Sequence, residues 1–264
     1  MEQIPKVIHY CWFGHNPLPD SMEKCLASWK KHCPDYEIRR WDESNFDVGQ
    51  CRYCKQAYDK KKYGFVTDYA RLKVIFEEGG IYLDTDVELV KPLDPLLENT
   101  LFMGAEGVKY INTGEGFGAV SHHPFISELL HQYESMDYVD EQGNIISKNQ
   151  PFYTSEAAKK FGITFPISGI QRTNLLTVYP NEYFNPYDWK KDVVNLTEHT
   201  YSIHHYAATW MTPAQKHALI INSKLDGIEK KYGHFVRKIA DFCVWNSKKE
   251  GGAGVLKAIL RKLR

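Results

Sequence analysis

The stretch from Thr67 to Pro95 constrains the fold more than any other part of the chain. Ala70, Val74 and Ile75 share one helical face, with Leu72 and Phe76 at its margins, so Thr67 to Glu78 is expected to be a helix. Thr67 is the expected N-cap, with Asp68 in the first turn, and Gly79-Gly80 stops the helix. Ile81-Tyr82-Leu83 follows as a short buried strand that runs directly into Asp84-Thr85-Asp86. Val87 to Val90 continues extended until Pro92 and Pro95 break the run.

The N-terminal part prepares a sheet for that unit to join. Residues 4–13 read as a buried strand ending at Gly14, Ser21 to His32 as a helix stopped before Pro34, and Tyr36 to Trp41 as a second strand. A strand–helix–strand opening predicts an α/β domain, a mostly parallel sheet flanked by helices. Farther on, Gly114, Gly116 and Gly118 mark a loop or a strand with close backbone approach. Pro124 to Tyr133 and Ser155 to Phe161 read as helices, 137–149 as a loop and Tyr201 to Tyr206 as a short strand. Ala214 to Tyr232 and Phe235 to Trp245 read as helices, followed by a glycine hinge at 251–254. The expected organisation is a main domain over 1–212, a helical annex over 213–250 and a basic amphipathic tail over 251–264.

The 264 residues carry 33 Lys+Arg against 33 Asp+Glu. Zero net charge argues against a general nucleic-acid binder, which carries a basic excess. A hydrophobic fraction of 43% with 25% charged residues excludes wholesale disorder. No run approaches the roughly 18 apolar residues of a membrane span, and the first residues do not read as a secretion signal. The expected location is the cytoplasm, with free thiols for the six Cys. Cys51 and Cys54 form a C-x-x-C without the second ligand pair a zinc site needs nearby, which leaves packing as the leading reading.

Three clusters carry chemistry. Asp84 and Asp86, one residue apart at the end of a buried strand, can face one hard cation such as Mg²⁺ or Mn²⁺ that also takes phosphate oxygens. The carboxyl ends of strands in such sheets are where ligands bind. Alone, a D-x-D pair equally describes a solvated turn. Asp68 and Arg71, three apart on the preceding helix, share a face and support the ligand reading, although a surface ion pair would look the same. In Ile203-His204-His205-Tyr206 the two histidines point to opposite faces of a strand, so one of them can complete a carboxylate site. Trp12, in Tyr10-Cys11-Trp12-Phe13-Gly14, can stack on a nucleobase or pack in the core.

These blocks, IPKVIHYCWFG, FVTDYARLKVIFEEGGIYLDTDVELVKPLDPLL and IHHYAATW, resemble the DXD-containing sugar transferases. That family includes yeast outer-chain mannosyltransferases and bacterial capsule and lipopolysaccharide transferases, and is more distantly similar to the glucosyltransferase domain of large clostridial toxins. The resemblance implies a GT-A fold and a retaining, metal-dependent transfer from a nucleotide sugar. It implies that Trp12 stacks on uracil, that Asp68 and Arg71 contact the donor sugar and phosphate, and that Asp84 reaches ribose, sugar or a metal-bound water. Asp86 is the more direct metal ligand, and His204 closes the metal shell, with His205 as the competing candidate. Trp210 covers the diphosphate, and Thr209 stands where the family has Ser. Asn149 to Thr154 resembles a Gly-Pro loop bordering the sugar, with Gln150 in place of the Gly.

The expected catalytic set is Asp68, Arg71, Asp84 and Asp86. Donor binding adds Trp12, Thr209 and Trp210, and the metal set is Asp84, Asp86 and His204 with Mn²⁺ or Mg²⁺. The sequence names no nucleophile, and same-face attack assisted by the leaving diphosphate is the expected route to retention. Trp12 leans the donor towards a UDP-hexose such as UDP-galactose or UDP-glucose, and GDP-mannose stands as the alternative because the fungal members are mannosyltransferases. The acceptor is expected to be a glycan or lipid-linked oligosaccharide of bacterial surface polysaccharide synthesis. Leu256, Ile259, Leu260 and Leu263 line one face of the tail Val255–Arg264, ringed by Lys257, Arg261, Lys262 and Arg264, the pattern of a peripheral membrane contact and equally of a solvated C-terminal helix packing on its own domain or a disordered end. A metal-dependent phosphodiesterase and a non-catalytic sugar-nucleotide-binding module are the lesser readings.

Overall fold

The computed structural model describes residues 3–188 and 193–207. The expected helices over 214–245, the tail Val255–Arg264, Thr209 and Trp210 lie outside the described residues.

Strand β1 (Val7–Cys11) is followed by helix α1 (Asp20–His32) and strand β2 (Glu37–Trp41). Helices α2 (Arg52–Asp59) and α3 (Tyr63–Glu78) lead into β3 (Gly80–Tyr82) and β4 (Val87–Leu89). Next come β5 (Leu101–Glu106), β6 (Tyr110–Ile111), β7 (Phe117–Ala119), α4 (Pro124–Glu134) and α5 (Gln150–Lys160). The described residues end with β8 (Gln171–Arg172), β9 (Thr177–Tyr179), the small ladder of β10 (Tyr187–Asp188) and β11 (Val193–Val194), and β12 (Ser202–His204).

The main sheet has the order β2-β1-β3-β7-β5-β9-β8, with β6 paired to β5. Strands β2, β1, β3, β5 and β9 run one way, and β7, β8 and β6 run against them. The α/β expectation holds, and most strands are co-directional. Ile8 registers with Ile38 on one side and Ile81 on the other, which seats β1 between β2 and β3, and β7 closes the other side of β3.

Alternation along β3 divides the core. Ile81 and Leu83 face a cluster with Ile8, Trp29, Val87 and Phe102 on the α1 side. Tyr82 faces the larger cluster, where α2, α3, α4 and α5 supply Tyr53, Leu72, Phe125 and Ala158. In α1, Asp20 and Glu23 sit in the first turn and Lys30, Lys31 and His32 in the last, which complements the helix dipole. Trp29 Nε1 donates to the Val87 carbonyl at 2.7 Å, and Ser28 Oγ accepts from the Leu89 amide at 2.9 Å. Helix α1 thereby anchors the strand that follows Asp84-Thr85-Asp86.

Several expected boundaries move. Helix α3 starts at Tyr63, one turn before Thr67, so Thr67 is not its N-cap and Asp68 lies in the second turn. Thr67 Oγ1 instead donates to the Tyr63 carbonyl, the back-bond of a mid-helix threonine. Helix α2 was not expected; its apolar residues Tyr53, Cys54 and Ala57 are spaced too briefly to stand out, and burial against the core supplies the stability. Gln150 to Thr154 is the start of α5 rather than a loop, with Pro151 in the first turn where its missing N–H costs nothing. The expected single strand over 201–206 is confined to Ser202–His204. The stop at Gly79-Gly80 holds: both adopt positive φ, +69° and +103°, which an L side chain resists. Cys51 and Cys54 are buried with the other described cysteines, and burial pushes both thiols up, as expected of packing residues. Among the described residues no helix is long and apolar enough to cross a membrane.

Candidate active site

The D-x-D segment leaves the carboxyl end of β3 and turns back at once, with the Val87 amide donating to the Asp84 carbonyl at 3.0 Å. Strand β4 then pairs antiparallel with β12, in the register Ser202↔Leu89, Ile203↔Glu88, His204↔Val87. That ladder delivers His204 to the aspartates. One ligand atom from each of Asp84, Asp86 and His204 lies within 4.8 Å of the others. A cation that takes oxygens at ~2.0–2.1 Å draws its ligands to within about twice that distance, and the three groups are already close to it. Two carboxylates and an imidazole, with His204 buried, form a donor set that fits Mn²⁺ or Mg²⁺ with positions left for oxygens of another molecule.

The two candidate histidines separate clearly. His204 Nε2 is 3.2 Å from Asp86 Oδ1, in a nearly buried pair. His205 points the other way and meets Glu88 at 2.9 Å on the exposed face. The chain after β12 wraps Asp86: the His205 amide donates to its carbonyl at 3.0 Å and the Ala207 amide to its Oδ2 at 2.7 Å. Burial alone would raise the Asp86 pKa, but the His204 charge and hydrogen bond and the Ala207 N–H outweigh it and hold the carboxyl at about 2. Burial opposes protonation of His204, yet Asp86 prevails and raises the imidazole to about 9.

Behind these three groups, α3 supplies a buried cation. Arg71 Nη2 lies 3.2 Å from Asp68 Oδ1 and 3.3 Å from Asp84 Oδ1, and Nε donates to the Thr67 carbonyl at 3.1 Å. Its guanidinium also covers the Tyr82 ring at 4.9 Å, and the Tyr82 hydroxyl donates to Asp84 Oδ1 at 2.8 Å. Burial pushes Asp68 up to about 7 against the pull of Arg71. Burial likewise raises Asp84 against the pull of Arg71. Gly114 closes this wall: its carbonyl accepts from the Asp84 amide at 3.2 Å, and a Cβ there would sit 2.2 Å from Asp84 Oδ2. The Gln150 side chain holds the neighbouring Thr113 amide at 3.2 Å, which ties α5 to the same wall.

Trp12 lies just beyond the carboxyl end of β1, half-buried, with its indole Nε1 donating to the Asn16 carbonyl at 2.7 Å. The structure therefore brings Asp68, Arg71, Asp84, Asp86 and His204 together, and leaves Trp12 at the end of the adjacent strand.

Sequence reasoning missed a second polar group. Glu115 is wholly buried and accepts on Oε1 from Asn185 Nδ2 at 2.9 Å and from the Tyr206 hydroxyl at 3.0 Å. Burial, followed by repulsion from Glu106, pushes its pKa to about 8. Glu115 Oε2, Asn185 Oδ1 and His204 Nδ1 have no hydrogen-bond partner among the described residues. The available signal was a carboxylate between two glycines at the mouth of an apolar strand, which burial penalises unless it has a task.

Residues 19–103 match the family model described as the glycosyltransferase sugar-binding region containing the DXD motif. The chain is 27% identical over 151 residues to inositol phosphoceramide mannosyltransferase 1 of Schizosaccharomyces pombe, covering 52% of this chain and 45% of that protein. It is 31% identical over 131 residues to inositol phosphoceramide mannosyltransferase 3 of the same yeast, covering 48% and 36%. A shorter match, 39% over 67 residues, joins 25% of the chain to 18% of human alpha-1,4-N-acetylglucosaminyltransferase. The matched stretches thus span less than half of these relatives. Among solved structures, the PaToxG glycosyltransferase is similar at a TM-score of 0.46 and 19% identity, covering 60% of this chain and 69% of that one. Scores at that level bear on neither site nor chemistry. The matched region contains α1, α3 and the whole strand–Asp84-Thr85-Asp86 unit, so it is over this unit that the chain is similar to the DXD-motif glycosyltransferases.

Proposed function

We propose that this chain is a retaining, metal-dependent hexosyltransferase that moves a hexose from a nucleotide sugar to a glycan or lipid-linked acceptor. The observation that carries the reading is the convergence of Asp84, Asp86 and His204 beside the buried Arg71. Asp84, Asp86 and His204 would hold Mn²⁺ or Mg²⁺, and the imidazole favours Mn²⁺. When bound, the cation supplies Lewis-acid stabilisation of the charge that grows on the leaving diphosphate.

The protein's own groups do the rest. Arg71, held in one orientation by Thr67, Asp68 and Asp84, provides a fixed positive charge that needs no reorganisation as the sugar–phosphate bond breaks. Asp68, one helical turn away and able to be neutral or ionised near pH 7, hydrogen-bonds a sugar hydroxyl of the donor in this reading. Trp12 offers a ring for the base, and we assign uracil to it. Thr209 and Trp210 complete the diphosphate side in this reading. With no side chain committed as nucleophile, attack by the acceptor on the face the diphosphate leaves accounts for retention. A role in bacterial surface polysaccharide assembly, with the tail Val255–Arg264 resting on a membrane, belongs to the same proposal.

The mannosyltransferase names of the two yeast relatives support a second reading of the donor, a mannose donor such as GDP-mannose. Incubation of the chain with UDP-glucose, UDP-galactose, UDP-N-acetylhexosamines and GDP-mannose, with Mn²⁺ or EDTA, tests both. Metal-dependent release of nucleoside diphosphate from one donor, lost in Asp86→Ala, is expected. Absence of both release and calorimetric binding for every donor would sink the transferase reading.

A further inference from the structure

Among the described residues, Glu115 is a group whose placement packing does not explain. It sits at 0% exposure, where a carboxyl is costly and an apolar side chain of similar size would be welcome. Its Oε1 takes two donors, Asn185 Nδ2 and the Tyr206 hydroxyl, and Asn185 Nδ2 also reaches the Tyr206 oxygen. The three side chains come from three places: the entry to β7, the segment before β10, and the turn after β12. Their common member is Tyr206.

Tyr206 occupies a left-handed backbone conformation, φ 49°, which a bulky residue adopts only when its surroundings hold it there. Its ring lies 4.3 Å from the His204 imidazole, tilted by 33°. The next residue, Ala207, sends its amide to Asp86 Oδ2 at 2.7 Å. Tyr206 therefore touches His204 with its ring and is joined through Ala207 to Asp86, while its hydroxyl is held by Glu115 and Asn185.

We infer that Glu115 and Asn185 are positioning residues that clamp Tyr206 and, through it, hold His204 and Asp86 in the geometry that receives the cation. The inference rests on the metal site proposed above. Outer partners of metal ligands commonly alter metal affinity by ~10–100-fold. Here the outer partners act by ring contact and backbone placement rather than by a hydrogen bond to the imidazole.

The test is calorimetric titration of Mn²⁺ into the full chain, with thermal melting in EDTA as the control. Tyr206→Phe removes only the hydroxyl and keeps the ring. Glu115→Met fills the same space without charge. Both are expected to weaken Mn²⁺ binding by ~10–100-fold, with Glu115→Met, which removes the buried carboxyl itself, melting in EDTA at or above the parent temperature. Unchanged Mn²⁺ affinity in both, alongside abolished binding in Asp86→Ala, would overturn the inference and leave the metal site standing. A loss of affinity in Glu115→Met that comes with a lowered melting temperature would also overturn it, since that is the signature of a packing role. Binding by the parent that Asp86→Ala does not disturb would overturn the metal reading and this inference with it.

Discussion

His204 Nε2 lies 3.2 Å from Asp86 Oδ1, and the two charges hold each other: the imidazole titrates near 9 and the carboxyl near 2. The folded chain without metal thus keeps a proton on His204 that the unfolded chain releases from about pH 6.5 upward. The stabilisation is complete below about pH 6.5 and is lost as pH rises through about 9. Glu115, raised to about 8, acts in the same direction over the lower part of that range. Urea unfolding in EDTA should therefore give falling stability from pH 6.5 to 9, with a shallower fall in His204→Gln.

If His204 holds the cation as proposed, metal and proton compete for its imidazole. Mn²⁺ affinity should rise across pH 6.5 to 9, approaching tenfold per unit, with release of up to one proton. Calorimetry in buffers of different ionisation enthalpy reads the proton directly. A flat profile would place His204 outside the metal set.

The neighbouring histidines should differ sharply. His204→Ala is expected to lose at least ~100-fold in Mn²⁺ affinity, more than loss of an outer partner costs. His205→Ala, which loses only an exposed contact with Glu88, should bind metal as the parent does.

Arg71 answers two buried carboxylates at once. Arg71→Met leaves them facing each other and should cost about 3–5 kcal/mol of stability. The loss should be smaller at pH 6 than at pH 8, because Asp68, near 7 in the parent, takes up a proton at the lower pH. Arg71→Lys keeps the charge but not the fork, so it should recover stability better than donor turnover.

A methyl group on Gly114 would meet Asp84 Oδ2 at 2.2 Å. Gly114→Ala should push that carboxylate out of the site, weakening Mn²⁺ binding at a stability cost of about 1–3 kcal/mol. Gly169 has open space around its Cβ position, so Gly169→Ala should stay within about 0.5 kcal/mol and bind metal normally.

Local pattern was enough to place α1, most of α3, β3 and the aspartates at its end, because a helical apolar stripe, a double glycine and a buried triplet each have one reading at close range. It was also enough to pick out Asp68, Arg71, Asp84 and Asp86, which lie within one helix–strand unit. It could not choose between His204 and His205, since alternation along a strand says that they differ and not which one faces inward. The β4–β12 register decides that, and it depends on hydrogen bonds between segments far apart in the chain. The same holds for the start of α5 at Gln150 and for the short α2, which take their stability from the core they cover rather than from their own residues. Glu115, Asn185 and Tyr206 carry no local mark of a shared role. Only the folded chain, by burying a carboxylate where two donors from distant segments could reach it, made them one group.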